Sequence, residues 1–388
     1  MNRSVIQRLG HEWDVFWAEP WLQALGIWLP PLLFALFWWI FSAGIATDLR
    51  IGVADLDHSQ LSRSFIRQCD ASPVMAVTAQ YPSVLEGKRD LTAGNTYALA
   101  VIPADFEKNT LLGLAPQITV FYNGQFILIG KQINGAMQQV TGTMAARLGA
   151  GKALAQGLPL SALPGRLVPI RGQITPLFNK HSNYAEFLVS AGIPAVWQIF
   201  IVAITVLSLA AEKRHGGFSN WLDNSPGKAL LAKFIPYTAI MWLQGILFLS
   251  TMYGWLGWPM HGSWFVLIGA QLLTILACQA MGAFFFLLSL DAARGLSLAA
   301  AYAAPGFAFM GVTFPATDMG LLAHIWRSIL PVTHYIAIQI NQANYGNDPG
   351  HSASSFAALC VFVLPLGVAL LKLQRMVLPD KNSSGAAI

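Results

Sequence analysis

The sequence predicts an α-helical polytopic membrane protein: six transmembrane helices, with an extracytoplasmic α/β domain inserted after the first. Three observations carry this prediction. Hydrophobic residues make up 55% of the 388 residues and charged ones only 11%, whereas about a quarter of a soluble domain is charged. Apolar runs long enough to cross a bilayer, at roughly 20 residues per crossing, occur once near the start and repeatedly after residue 184. Between residues 48 and 183 charges return, and short strand-like segments replace the long runs.

The bulk numbers exclude several classes. A net charge of +5 would suit a nucleic-acid partner in a soluble chain. Here the basic residues flank apolar runs, membrane topology accounts for them, and no nucleic-acid partner is expected. Cys69, Cys278 and Cys360 form no disulfide or zinc pattern. The first apolar run begins near Trp21, is too long for a signal core and lacks a small-x-small site, so no cleavable leader is expected.

Residues 1–20 are expected to form an interfacial amphipathic helix. Val5, Ile6, Leu9, Trp13, Phe16 and Trp17 recur at helical spacing with Arg8, Glu12 and Asp14 between them. Residues 21–47 form the first span, free of charge as far as Thr47, with Pro30-Pro31 expected to kink it because the freed carbonyls need other partners.

Residues 48–183 hold the α/β domain. Strands are expected at Arg50–Asp55, Tyr97–Ile102 and Gln117–Tyr122, helices at about Ser59–Cys69 and Ser83–Leu91, and one long helix from after Gly124 to about Gln156. The Gly/Pro-rich stretch 157–176 has linker character. Asp55, Asp57 and His58 lie close together at a strand end, and turn chemistry explains them better than a metal; no metal site is expected.

Residues 184–375 contain the remaining spans, at about Tyr184–Ala211, Lys233–Leu256, Trp264–Leu290, Leu296–Phe314 and Phe356–Leu371. Residues 376–388 are a tail. Arg3, Arg8, the 212–233 segment, Arg294, Lys372, Arg375 and Lys381 fall on one side, while the short loops opposite hold only Arg327. Both termini are therefore expected in the cytoplasm and the large domain outside. Within 318–346, two short apolar segments flank Pro331, each too short to span, and two outer helices dipping into the membrane would fit. His324, Arg327 and His334 lie there as solvated or interfacial groups, or less simply as a proton relay.

The segment 212–233 links two long apolar runs and carries Lys213, Arg214, Lys228 and Lys233. It is expected in water at the cytoplasmic face, either as a grip for a cytoplasmic motor or as a purely topogenic loop. The chain has no Gly-x-x-x-x-Gly-Lys-Ser/Thr phosphate loop, no His-Glu-x-x-His and no Gly-x-Ser-x-Gly elbow. Its spans are almost free of carboxylates, unlike ion-coupled transporters. If the chain moves a substrate, the energy must come from another polypeptide.

The order of several short motifs then resembles the membrane subunit of ABC-2 type exporters, in the branch with a large periplasmic domain between the first two spans. His11-Glu12 and Glu19-Pro20 resemble positions on that family's interfacial helix. Residues 51–63 resemble its first periplasmic strand and helix, and Tyr97–Phe106 its second strand with a Pro-x-Asp-Phe turn. At the elbow the family pattern Arg-Glu-x-Glu-Arg-Gly-Thr is met in part: Glu212 and Gly216 keep their places, while Ala211, Arg214, His215 and Gly217 depart from it. The resemblance implies an ATPase-coupling loop at Glu212, Lys213, Arg214, His215 and Gly216. It also implies an outer gate around Phe314, Pro315, Pro331 and Tyr335. The implied partners are an ATP-binding subunit, a second permease subunit (identical or similar) and a periplasmic membrane-fusion adaptor. The implied location is the bacterial inner membrane, with no cofactor in this chain, since ATP binds the partner, and with a lipophilic or drug-like cargo. The competing expectations are a membrane receptor or scaffold whose outer domain binds a ligand or protein, and a membrane-embedded transferase.

Overall fold

The computed structural model describes residues 5–42, 44, 46–155, 178–179, 183–215, 217–222 and 225–377. The linker read over 157–176, Gly216 and the tail beyond 377 lie outside the described residues. The chain divides into two compact units, Ile45–Thr175 and the remainder, Met1–Gly44 with Pro176–Ile388.

In the larger unit α1 covers Val5–Ala18 and α2 Pro20–Phe41. The smaller unit runs β1 (Leu49–Asp55), α3 (Gln60–Asp70), β2 (Met75–Tyr81), α4 (Val84–Ala93), β3 (Ala98–Ile102), α5 (Phe106–Leu111), β4 (Thr119–Tyr122) and α6 (Ile127–Ala155). Its sheet has the order β2-β1-β3-β4, with the first three strands parallel and β4 antiparallel to β3. Being central, β1 is buried at every position except Arg50, which is why it reads as an apolar run rather than an alternation. The helices start where a serine precedes the periodic stretch. Ser59 accepts from the Ser62 N–H and Ser83 from the Glu86 N–H, each satisfying an orphan donor of the first turn. Gly94, at φ 79°, ends α4 in the left-handed region. Ile133, Met137, Val140 and Met144 of α6 complete a core with Ile51, Val53, Phe65 and Ile102. Strand β2, not anticipated, is an edge strand with an incomplete apolar pattern.

Asp55, Asp57 and His58 are turn-formers. Asp55 accepts the N–H groups of Asp57 and His58 and the Ser62 hydroxyl, and Asp57 accepts those of Phe106 and Glu107 at the start of α5.

The larger unit continues with α7 (Tyr184–His215), α8 (Gly217–Leu222), α9 (Pro226–Leu249), α10 (Trp264–Ser289), α11 (Ala292–Ala303), α12 (Leu321–Ser328), α13 (Pro331–Gln339), α14 (Ala353–Val361) and α15 (Val363–Val377). Among the described residues five helices are long and apolar enough to cross a membrane: Pro20–Phe41, Ala185–His215, Pro226–Trp255, Trp264–Ser289 and Pro349–Met376. The run 296–314 forms α11 and a single further turn at Gly306–Phe309, interrupted at Ala304-Pro305. Twelve residues of helix rise only about 18 Å, so α11 alone does not reach across.

Helix α7 is the centre of the bundle, with 78% of its most apolar window buried against 17% for α2. It packs on α10 closely enough that a Cβ at Gly282 would stand 2.8 Å from the Val202 carbonyl oxygen. Buried glutamines repair the backbone where prolines interrupt it. Pro30 removes the donor that would serve the Gly26 carbonyl, the helix widens into a π-turn over Ala24–Trp28, and Gln244 of α9 donates to Gly26 O at 2.5 Å. Pro194 likewise frees the Ser190 carbonyl, and Gln339 of α13 donates to it at 2.9 Å. Gln198 of α7 accepts the Val332 N–H in the first turn of α13. Without water in the bilayer core, such groups must find partners inside the protein.

Candidate functional site

The charged elbow and the N-terminal helix form one cluster. Helix α7 runs through Glu212 to His215, because Lys213, Arg214 and His215 in its last turn suit the negative end of the helix dipole. Two turns into α9 stands Lys233, fully buried. Its Nζ lies 2.5 Å from Glu212 Oε1, 2.6 Å from Glu12 Oε2 and 3.3 Å from the Ser208 carbonyl oxygen. It also sits 5.5 Å from the Trp221 ring centroid. A lone ammonium in this position would be prohibitive, and two carboxylates with a carbonyl supply the compensation it needs. Burial pushes the Glu12 carboxyl above its usual range; Lys233 pulls it back and the neighbouring Glu212 raises it further.

Helix α1 is inverted relative to a soluble amphipathic helix. Arg8, Glu12, Val15 and Phe16 are buried against the bundle, while Ile6, Trp13 and Trp17 are exposed. The outward face therefore suits a membrane interface, and the charged face is the protein-facing one. Arg8 donates to the Trp221 and Leu222 carbonyls at 2.5 and 3.4 Å, and to Ser225 Oγ at 3.2 Å. It thus serves the orphan carbonyls at the end of the short helix α8. At the far end of α1, Glu19 Oε1 binds Arg214 Nη2 at 2.8 Å and His215 Nε2 at 3.1 Å. The hydrogen bond from Arg214, aided by that from His215, holds the Glu19 carboxyl below the usual range although burial opposes it. Lys213 donates to the Leu290 carbonyl at 2.6 Å, capping α10.

Residues 20–372 match the family model described as ABC-2 family transporter protein. The chain belongs to the ABC-2 transporter family. No curated protein and no solved structure matches it at a significant level. Members of the ABC-2 permease family generally pair with an ATP-binding subunit.

The sequence-predicted residues fall into three groups. Glu212, Lys213, Arg214 and His215 are brought together, but they engage α1, α9 and α10; Gly216 lies outside the described residues. The 212–233 segment was expected in water, yet Glu212, Trp221, Leu222 and Lys233 are buried. The physical reason is that α1 folds over the segment and each buried charge meets an opposite one. The gate candidates differ in exposure. Pro331 and Tyr335 are buried, with the Tyr335 hydroxyl accepting from Gln271 at 3.3 Å. Phe314 and Pro315 are exposed. His324, Arg327 and His334 form no chain of hydrogen bonds among the described contacts: Arg327 donates to the Phe309 carbonyl and His334 Nε2 meets the Ser328 carbonyl.

Sequence reasoning missed the roles of Arg8, Glu12, Glu19 and Lys233 as partners of the elbow. The available signal was the four-residue spacing of Arg8 and Glu12, which puts two charges on one face of α1 beside Val15 and Phe16.

Proposed function

We propose that the chain is the permease subunit of an ATP-driven exporter, moved by a separate ATP-binding subunit through the elbow 212–233. The chain itself supplies no ATPase chemistry and needs no cofactor. The observation that carries this reading is the clamp on α8: Arg8 grips its C-terminal end, while the Glu12–Lys233–Glu212 cluster ties α1, α7 and α9 together beneath it. A short helix held this way passes a push to three bundle elements at once, where a slack loop would absorb it. The residues read as contacts, Glu212 to His215, then act as the frame, and exposed Lys228, at the start of α9 beside α8, offers a contact.

The rest of the reading follows from charge distribution and from the family likeness. Six spans, the sixth counted from the interrupted α11, leave both termini in the cytoplasm of a bacterial inner membrane and put the Ile45–Thr175 unit outside. Two such subunits form the pathway, with a periplasmic adaptor beyond it and a lipophilic or drug-like cargo. Deleting 217–222 in a complex reconstituted with its ATP-binding subunit tests the reading. The expected result is an inserted, assembled complex without nucleotide-dependent export. Unimpaired export after the deletion would refute it.

A further inference from the structure

Away from the elbow, the permease contains a cavity of about 760 Å³ between α10, α11, the outer helices α12 and α13, and α14–α15. That volume is within the range of sites that hold drug-sized or lipid-sized ligands, about 300–1,000 Å³. Its floor is made of side chains buried in the single subunit, Phe285, Tyr302 and Phe362, with the first two rings 5.1 Å apart. Its mouth is made of exposed aliphatic side chains, Leu298, Val361 and Leu364.

The lining carries no carboxylate, lysine or arginine. The Tyr302 hydroxyl donates to the Ile329 carbonyl, the Ser328 hydroxyl to the His324 carbonyl, and His334 Nε2 is held by Ser328 O, while the buried Trp326 indole N–H has no hydrogen-bond partner among the described residues. The lining is otherwise aliphatic and aromatic. Water gains little in such a space, and an empty apolar cavity forfeits the dispersion contacts of its walls. Such a space suits an apolar occupant, and two features say where it comes from. The mouth opens among the helices of the most apolar candidate span, Pro349–Met376, only 22% of whose window is buried. Val363 and Val368 continue the exposed aliphatic surface beside it.

We infer that this cavity is a lateral binding site, one per subunit, for the acyl chain of a bilayer lipid. The chain enters past Leu298 and Leu364 and ends against the Phe285 and Tyr302 rings beneath the outer helices. This does not depend on what the permease exports or on the elbow.

The test uses the full-length protein in liposomes containing phosphatidylcholine with a diazirine on its acyl chain, with the labelled residues mapped by mass spectrometry. Label is expected on Phe285 and Tyr302, which are buried from annular lipid, as well as on exposed Val368. Filling the site with Ala301→Phe, or independently Ala358→Phe from the opposite wall, should remove the first label and leave the second. Labelling confined to Val368, or label at Phe285 that persists in both filled variants, would overturn the inference. So would efficient disulfide linkage of two copies through Cys360, the exposed native cysteine beside Val361, because a second subunit would then cover the mouth.

Discussion

Replacing Lys233 by methionine keeps the length of the side chain and removes its charge, leaving Glu12 and Glu212 facing each other in a buried space. With Lys233 inaccessible and both carboxylates nearly so, the change belongs with the breaking of a buried ion pair, which costs about 3–5 kcal/mol. If that energy is released by α1 lifting away, its opening equilibrium rises roughly 10²- to 10⁴-fold, at about 1.4 kcal/mol per tenfold. The Arg8 bonds to the elbow are common to both proteins and cancel in this ratio. Amide hydrogen exchange of residues 5–18 in the full-length protein in nanodiscs reads this directly. The triple variant Glu12→Gln/Lys233→Met/Glu212→Gln should recover most of the protection, since a neutral set no longer strands a charge. Unchanged exchange in Lys233→Met would mean that the cluster does not hold α1, and the clamp argument would fall with it.

Other perturbations reach different parts of the structure. Gln244→Leu strands the Gly26 carbonyl freed by Pro30 and should lower thermal stability by about 0.6–2 kcal/mol; in a Pro30→Ala background, where the helix supplies its own donor, the loss should largely vanish. Gly282→Ala should destabilise by about 1–3 kcal/mol, because its Cβ would press on the Val202 carbonyl, and the melting temperature of the purified protein checks this. Glu19 has a lowered folded-state pKa, so its contribution is present above the ordinary glutamate value and lost as pH falls through the folded one. Amide hydrogen exchange at residues 212–215, normalised to the intrinsic rate at each pH, should rise over that acid window and stay level there in Glu19→Gln. In the smaller unit, Asp57→Ala removes the acceptor for two N–H groups of α5 and should cost about 0.5–2 kcal/mol, seen as faster exchange at Phe106 and Glu107.

Local chemistry was legible where a residue acts on its own neighbours. The stretches Ser59–Cys69 and Ser83–Leu91 announced helices that begin at Gln60 and Val84, Arg50–Asp55 announced a strand, and the stretch after Gly124 announced α6. Strand β2 was not legible, because an edge strand is half solvated and Met75–Tyr81 alternates only weakly. The elbow was legible as a charged segment between two apolar runs, but its charges were read as facing water. Hydropathy assigns a charge to solvent by default, and it has no term for a carboxylate waiting 200 residues away. Glu12 and Glu212 are that far apart in sequence, and Lys233 binds both.

Composition and periodicity by themselves determined that this is a membrane protein of apolar helices, and where five of its long helices run. Such features depend on nearest neighbours along the chain and on transfer between water and lipid. Only the tertiary structure decided which face of α1 meets the protein, which glutamine serves which proline-freed carbonyl, and that Lys233 is an internal cation rather than a surface one. In a bilayer the apolar face of a helix can point outward, so the rule that polarity marks the outside loses its sign. Partners distant in sequence then settle which groups are buried.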